Sequence, residues 1–434
     1  MATQARPRAG LTSPGLVFPF IAITTLYFAF GFITNLNQGM VPELKQIFEV
    51  GGLATWQAML ANFAFFAAYF VFATPTAWLI ETIGYKKTMI VALFVQVVGA
   101  LLFLPAAESV SFPLFMTAIF VVGAGVTALQ TSANPYAASL GPEESSPARL
   151  TLAQAFNSLG ATMGPWVAGT FILTSKVLDP AAVARQSLAE QHAYQASIAH
   201  TVRMPYIVVA IALAIMGLAI SFAHLPHIRA EEKSGAGSAT AGRSIWSFRH
   251  TLLAAVGIFC YVGVEVGLAT TMVLYFSDST HGGLNVMTTQ TAQKLVALYW
   301  AGQLVGRLMG PWMMRLMKPG KLLSLFGVLA AALVVLSMFL PGYAAVGGLL
   351  LVGYFNSVMF PTIFALGITG LGPLTSRGSG IITSMIVGGA LVPPLIGWVV
   401  DKSNYAVALI IPVLCYLFIA WYGVSGSQAT ANAE

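Results

Sequence analysis

Apolar stretches of helix-spanning length, parted by short polar turns, recur from one end of the chain to the other. A helix needs about 20 mostly apolar residues to cross the hydrocarbon of a bilayer. About twelve such segments can be read: 16–38, 54–80, 88–107, 112–139, 149–174 and 203–224, then 249–277, 291–317, 321–340, 345–371, 377–400 and 404–423. The longest polar, small-residue stretch, HLPHIRAEEKSGAGSATAGRSIWS, separates the sixth from the seventh. The pattern predicts an all-α membrane protein of twelve transmembrane helices in two six-helix bundles. The bundles cover residues 1–224 and 249–434, and a cytoplasmic linker covers 225–248.

The two halves echo each other. QTSANPYAASLG in the fourth segment can be laid on NSVMFPTIFALG in the tenth, so that Gln130 matches Asn356 and Pro135 matches Pro361. GATMGPWVAG resembles GGALVPPLIG further on. Two related six-helix halves holding a substrate between them near the midplane is one of the standard transporter plans.

Composition fits a lipid-solvated chain. Hydrophobic residues make up 57% and charged residues 8% of the 434 positions, where a soluble domain carries about 25% charge. The net charge of +6 does not indicate nucleic acid, because the basic residues recur in short loops instead of clustering. With both termini placed in the cytoplasm, thirteen Lys and Arg residues face inside, six face outside, and Arg307 lies within or near the end of a span. That bias predicts a multi-pass protein of a bacterial inner membrane with both ends cytoplasmic. The first apolar run follows Arg6 and Arg8, is longer than a signal-peptide core, and lacks a clear cleavage site, so it is expected to stay as the first helix. Cys260 and Cys415 both sit in apolar runs and imply no disulfide framework.

Polar groups inside the spans carry the candidate chemistry. FITNLNQGMVPEL ends the first span with Asn35, Asn37 and Gln38. Gln130 and Asn134 follow in the fourth, Gln154 and Asn157 in the fifth, Tyr261 and Glu265 in the seventh, Gln303 in the eighth and Asn356 in the tenth. Amides both donate and accept, which suits a ligand covered in hydroxyls, and Trp166 and Trp300 could offer apolar faces to a sugar ring. Amides also glue membrane helices together, but so many in the first, fourth and fifth spans point to a binding site. Pro135 and Pro361 deprive the carbonyls of Thr131 and Ser357 of their helical donors. Such breaks are tolerated where the freed group finds a partner or lines a cavity, and the repeat of kink plus amide favours a cavity.

Glu265 alone of the acidic residues lies deep in a span, and an ionisable group there is a functional candidate by default. Low dielectric favours its neutral form, which would let it cycle a proton near neutral pH. A permanent ion pair with Arg307 is the competing expectation. At the span ends, AWLIETIGYKKT carries Glu81, Gly84, Lys86 and Lys87, and GRLMGPWMMRLMKPGK carries Gly306, Arg307, Gly310 and Arg315. Glu81, Lys86 and Arg307 are candidate gating-loop residues, part of a charge pairing that holds the halves together in one state. The six His residues are scattered and loop-heavy, with no metal-ligand or nucleophile constellation, so neither an enzyme nor a resident metal is expected.

LNQGMVPEL, ALQTSANPY, LAQAFNSLG, YVGVEVG and FPTIFALGI resemble the branch of the major facilitator superfamily that holds the L-fucose:proton symporters and the glucose/galactose transporters. The resemblance implies a twelve-helix facilitator fold that carries monosaccharides inward by alternating access. Asn35, Asn134, Asn157 and Asn356 match the family's polar positions. The loop after the second span is a degenerate form of the superfamily signature. Gln38 stands where fucose symporters carry an aspartate tied to proton coupling, and Gln130 stands where they carry a glutamate. Gln130 and Glu265 are similar to the glucose/galactose branch. An amide cannot take up and release a proton, so coupling is expected to fall to Glu265.

The resulting expectation is a monomeric monosaccharide transporter. Its partners are the sugar and the lipid bilayer, it needs no cofactor, and a proton or sodium is its coupling ion. Hexoses such as glucose, galactose or mannose are favoured; fucose or N-acetylglucosamine are alternatives. The residues expected to bind sugar are Asn35, Gln38, Gln130, Asn134, Gln154, Asn157 and Asn356. An uncoupled uniporter and a drug or metabolite exporter are the alternatives on the same fold.

Overall fold

The computed structural model describes residues 11–12, 15–38, 44, 47–48, 55–167, 183, 186–226, 243–278 and 281–429; the side chains of 38, 55–59 and 165–167 lie outside that description. Among the described residues there is no strand. The first half holds α1 (Val17–Gln38), α2 (Thr55–Ile83), α3 (Tyr85–Glu108), α4 (Phe112–Ser139), α5 (Ser146–Val167) and α6 (Leu188–Phe222). The second holds α7 (Arg249–Ser277), α8 (Thr289–Leu316), α9 (Pro319–Phe339), α10 (Gly342–Ile368), α11 (Gly372–Lys402) and α12 (Tyr405–Gly426).

Ten of these helices are long and apolar enough to cross a membrane. The two too polar to qualify are α5 and α8, which carry amides, hydroxyls and Arg307 in their middles. A helix that polar is stable at membrane depth only when its polar stripe faces protein or a cavity.

Packing partners repeat with an offset of six. Helix α1 lies along α5 as α7 lies along α11, and α2 along α4 as α8 along α10. Helix α3 packs on α4 and α6 as α9 packs on α10 and α12. The linker expected over 225–248 falls mostly outside the described residues.

Three local features differ from the sequence expectation. First, α6 begins with an extra helix, Leu188–Thr201, before Val202 and Arg203–Phe222. Ser187 and Glu190 form a reciprocal capping box at its start, which satisfies two orphan donors. Its sequence is polar with no apolar run, so a search for spans passes over it. Second, α10 breaks after Asn356 and resumes at Met359, so Pro361 falls in the first turn of a new helix, where a missing N–H costs nothing. Third, α4 continues through Pro135. The freed Thr131 carbonyl accepts a hydrogen bond from Ser379 Oγ of α11 at 2.9 Å. Neither proline lines the cavity described below; the carbonyl released in α4 is spent on a contact between the halves.

The halves meet at one face. Arg377 donates to both oxygens of Glu81, Tyr85 Oη lies 3.3 Å from Ser376 Oγ, and the Gly370 N–H donates to Glu143 at 3.1 Å. Helix α11 comes against α2 at Gly380, where a Cβ would stand 2.8 Å from the Ala77 Cβ. Gly84 turns the chain between α2 and α3 at φ 81°, a left-handed conformation that favours glycine. Lys86 donates to the carbonyls of Ser221 and Ala223, 2.8 Å each, at the end of α6. It therefore caps a helix inside the first half and does not reach the second.

Candidate functional site

Backbone-to-backbone packing places the first wall of the site. On α5 a Cβ at Gly160 would run into the Phe28 carbonyl, and one at Gly164 would stand 2.7 Å from the Phe32 carbonyl. These small residues, one turn apart, let α1 and α5 approach as small-residue helix pairs do in membranes. Along this seam Asn157 comes against Gly31 and Asn35 against Gly164, and both line the cavity. Asn35 Nδ2 donates to the Gly31 carbonyl at 3.0 Å and Asn157 Nδ2 to the Tyr27 carbonyl at 3.4 Å. Gln130, on α4, donates to Tyr69 Oη of α2 at 2.7 Å.

The opposite wall comes from α7 and α8. Tyr261 and Glu265 are one turn apart on α7, and the tyrosine donates to Glu265 Oε1 at 2.5 Å. Gln303 on α8 donates to Tyr261 Oη at 3.0 Å and also to Glu265 Oε1. Arg307, one turn further along α8, places Nη2 3.8 Å from the same carboxylate oxygen. Its Nη1 crosses to the first half, donating to Ser158 Oγ at 2.5 Å and to the Gln154 carbonyl at 3.3 Å. Both charges are largely buried, with side chains 14% exposed for Glu265 and 6% for Arg307. Desolvated charges at this depth need each other.

The two walls enclose a cavity of about 370 Å³, within the range of small-molecule sites. Helices α5 and α8 close it toward the face where the halves meet, through the Arg307 contacts and through Gly310, whose place for a Cβ is taken by Thr151. Further along the same helices, Thr162, Ala297 and Ala301 line the cavity and are exposed. The cavity is therefore closed toward the Glu81–Arg377 face and open away from it.

Of the residues expected from sequence, Asn35, Gln130, Gln154, Asn157 and Glu265 converge on this cavity, together with Trp300. Asn134 and Asn356 do not line it. Asn134 accepts from Tyr27 Oη at 2.6 Å inside the first half, and Asn356 donates to Tyr299 Oη at 2.6 Å inside the second; these two act as the helix-gluing amides. Asn37 does likewise, accepting from Tyr206 at 2.8 Å. The side chains of Gln38 and Trp166 lie outside the described residues. Arg307 was expected in a gating loop; it sits inside α8 and lines the cavity, well before the helix ends at Leu316. Tyr69, Ser158 and Thr34 line the cavity without having been expected. The signal that could have found Ser158 was its place beside Asn157; Tyr69 sits in an aromatic-rich apolar run, FAFFAAYFVF, with nothing local to mark it.

The chain matches the family model described as Major Facilitator Superfamily over residues 23–386. It is 41% identical over 412 residues to a glucose/galactose transporter of Brucella abortus biovar 1 (strain 9-941), covering 95% of both chains. It is 33% identical over 425 residues to the L-fucose-proton symporter of Escherichia coli (strain K12), covering 97% of this chain and 95% of the relative. Among solved structures it superposes on the E. coli fucose:proton symporter FucP with a TM-score of 0.84 at 31% identity, over 95% of this chain and all of the other. A structure described as FucP in the outward conformation gives a TM-score of 0.82. With two six-helix halves around an amide-lined cavity, and with matches of that extent, the chain belongs to the major facilitator superfamily.

Proposed function

We propose that this protein is a monosaccharide transporter of a bacterial inner membrane that takes up hexoses by alternating access, coupled to protons through Glu265. One observation carries the proposal: four amides on the first half face a single carboxylate on the second across one cavity, closed at one end. Amides suit hydroxyls, and a carboxylate at membrane depth suits proton uptake. The relatives named for glucose, galactose and fucose transport support a sugar as cargo. The excess of Lys and Arg supports a cytoplasmic position for the Glu81–Arg377 face, and with that orientation the open end of the cavity faces outside; a similar structure is described as FucP in the outward conformation.

In this state a hexose enters from outside and meets the amides of α1, α4 and α5. Glu265 takes up a proton at the same cavity, which weakens its hold on Arg307. Rocking of the halves then breaks the contacts at the Glu81–Arg377 face, and sugar and proton leave inward. The test is uptake of labelled glucose, galactose, mannose, fucose and N-acetylglucosamine into proteoliposomes, with proton and sodium gradients imposed in turn. Hexose uptake driven by an inward proton gradient is the expected result. Gradient-independent equilibration would make the protein a uniporter, and transport of a lipophilic cation with no sugar uptake would overturn the proposal.

A further inference from the structure

Of the five amides that line the cavity, four anchor the nitrogen arm on protein, and the Gln154 side chain makes no hydrogen bond to the described residues. Asn35 and Asn157 each give Nδ2 to a backbone carbonyl, of Gly31 and Tyr27. A carbonyl only accepts, so those contacts fix which arm of each carboxamide is anchored to protein. Gln130 anchors its nitrogen on Tyr69 Oη, and Gln303 anchors its nitrogen on Tyr261 Oη and Glu265. In all four the oxygen arm accepts nothing from the described residues, and none of these oxygens is shut away from the cavity as a buried orphan. Glu265 lines the same space; its Oε1 is held by Tyr261 and Gln303, and its Oε2 accepts nothing from the described residues.

We infer that the cavity recognises its substrate as a hydrogen-bond donor, with at least two ligand hydroxyls giving their hydrogens to the oxygens of Asn35, Asn157, Gln130 and Gln303. This rests on the transport of a hexose proposed above. A hydroxyl both donates and accepts, whereas fluorine in its place keeps size and weak acceptance and loses the donor. An acceptor left facing fluorine loses its partner while staying desolvated, and sites built to bond a hydroxyl reject analogues that cannot do so.

The experiment is a competition series on the wild-type protein in proteoliposomes. Labelled uptake of the transported hexose is measured against its monodeoxy and monofluoro analogues at each ring position. At two or more positions the fluoro analogue should compete about tenfold or more weakly than the parent sugar, as its deoxy analogue does. Fewer than two such positions, with the parent hexose still transported, overturns the inference and leaves the transporter proposal standing. No uptake of any parent hexose overturns the proposal, and the inference with it.

Discussion

Glu81 and Arg377 join the two halves by a two-point contact, Nε to Oε1 at 2.8 Å and Nη2 to Oε2 at 3.2 Å, across 296 positions of sequence. Neither side chain is buried; they are 30% and 51% exposed. An exposed ion pair contributes about 0–1 kcal/mol, which makes this contact suited to a gate that must open in every cycle. It acts beside the neutral Ser379–Thr131 and Tyr85–Ser376 contacts of the same face. Glu81→Gln should shift the balance toward the state open at this face by up to about fivefold. The readout is the labelling rate of a cysteine at Thr162, exposed in the cavity, with Cys260 and Cys415 replaced and an impermeant maleimide applied. Labelling should slow in Glu81→Gln and recover when Glu81→Arg is combined with Arg377→Glu. Unchanged labelling in the single variant removes Glu81 from the gate.

The amide–tyrosine pair of one half has a counterpart in the other. Gln130 of α4 donates to Tyr69 of α2, and Asn356 of α10 donates to Tyr299 of α8, 2.7 and 2.6 Å. Tyr69 lines the cavity and Tyr299 does not. Tyr69→Phe frees an amide that can turn toward water or sugar, so hexose affinity should change severalfold while unfolding temperature stays near wild type. Tyr299→Phe strands an amide that is fully buried, which costs about 1–3 kcal/mol. Thermal unfolding in detergent should therefore fall for Tyr299→Phe, with little change in the KM of the surviving protein. The reverse pattern would mean that the cavity faces have been misassigned.

These pairs show what was legible in the sequence. The echo between QTSANPY and NSVMFPT marks Gln130 and Asn356 as equivalent, and the structure gives them equivalent partners. The same echo could not tell that one opens on a cavity and the other is sealed behind it, because that depends on where the halves touch. Gln130 and Asn134 are the same chemistry one helical turn apart, yet the first lines the cavity and the second is consumed by Tyr27. The spacing supplies the face, and only the neighbouring helix decides what that face meets. Arg307 was misplaced for a related reason. A loop motif is read from nearby glycines and cations, whereas its contacts with Ser158 and Gln154 come from the other half of the chain.

Arg149 lies in the first turn of α5, and the structure buries it fully. Its guanidinium donates to the carbonyls of Ala137, Ala138, Pro142 and Leu11 and to Ser145 Oγ. All of these acceptors are neutral, and they include the Ala137 and Ala138 carbonyls at the C-terminal end of α4, where a cation is favoured by the helix dipole. The five-donor fork is what makes this possible, and an ammonium cannot reproduce it. Arg149→Lys should lower stability by about 1–3 kcal/mol through stranded carbonyls. The unfolding temperature in detergent should drop, with the sugar KM unchanged in protein that remains folded. A wild-type unfolding temperature would show that the carbonyls find other donors.

Glu265 accepts from Tyr261 and Gln303 and sits 3.8 Å from Arg307, which also holds Ser158 and the Gln154 carbonyl of the other half. The carboxylate and the first half thus share one guanidinium. Glu265→Gln preserves shape and can still accept from Tyr261, but it ends both the charge and the capacity to take up a proton. Arg307 keeps its neutral partners across the interface, so the halves should still close and rock. Uphill hexose accumulation driven by a proton gradient should be lost, while counterflow exchange between preloaded and external sugar should persist at a rate within about an order of magnitude of wild type. The wild-type pH dependence of net uptake should disappear along with accumulation. Accumulation at wild-type levels in Glu265→Gln would move coupling to another group, and loss of counterflow as well would make Glu265 part of the sugar site or of the fold.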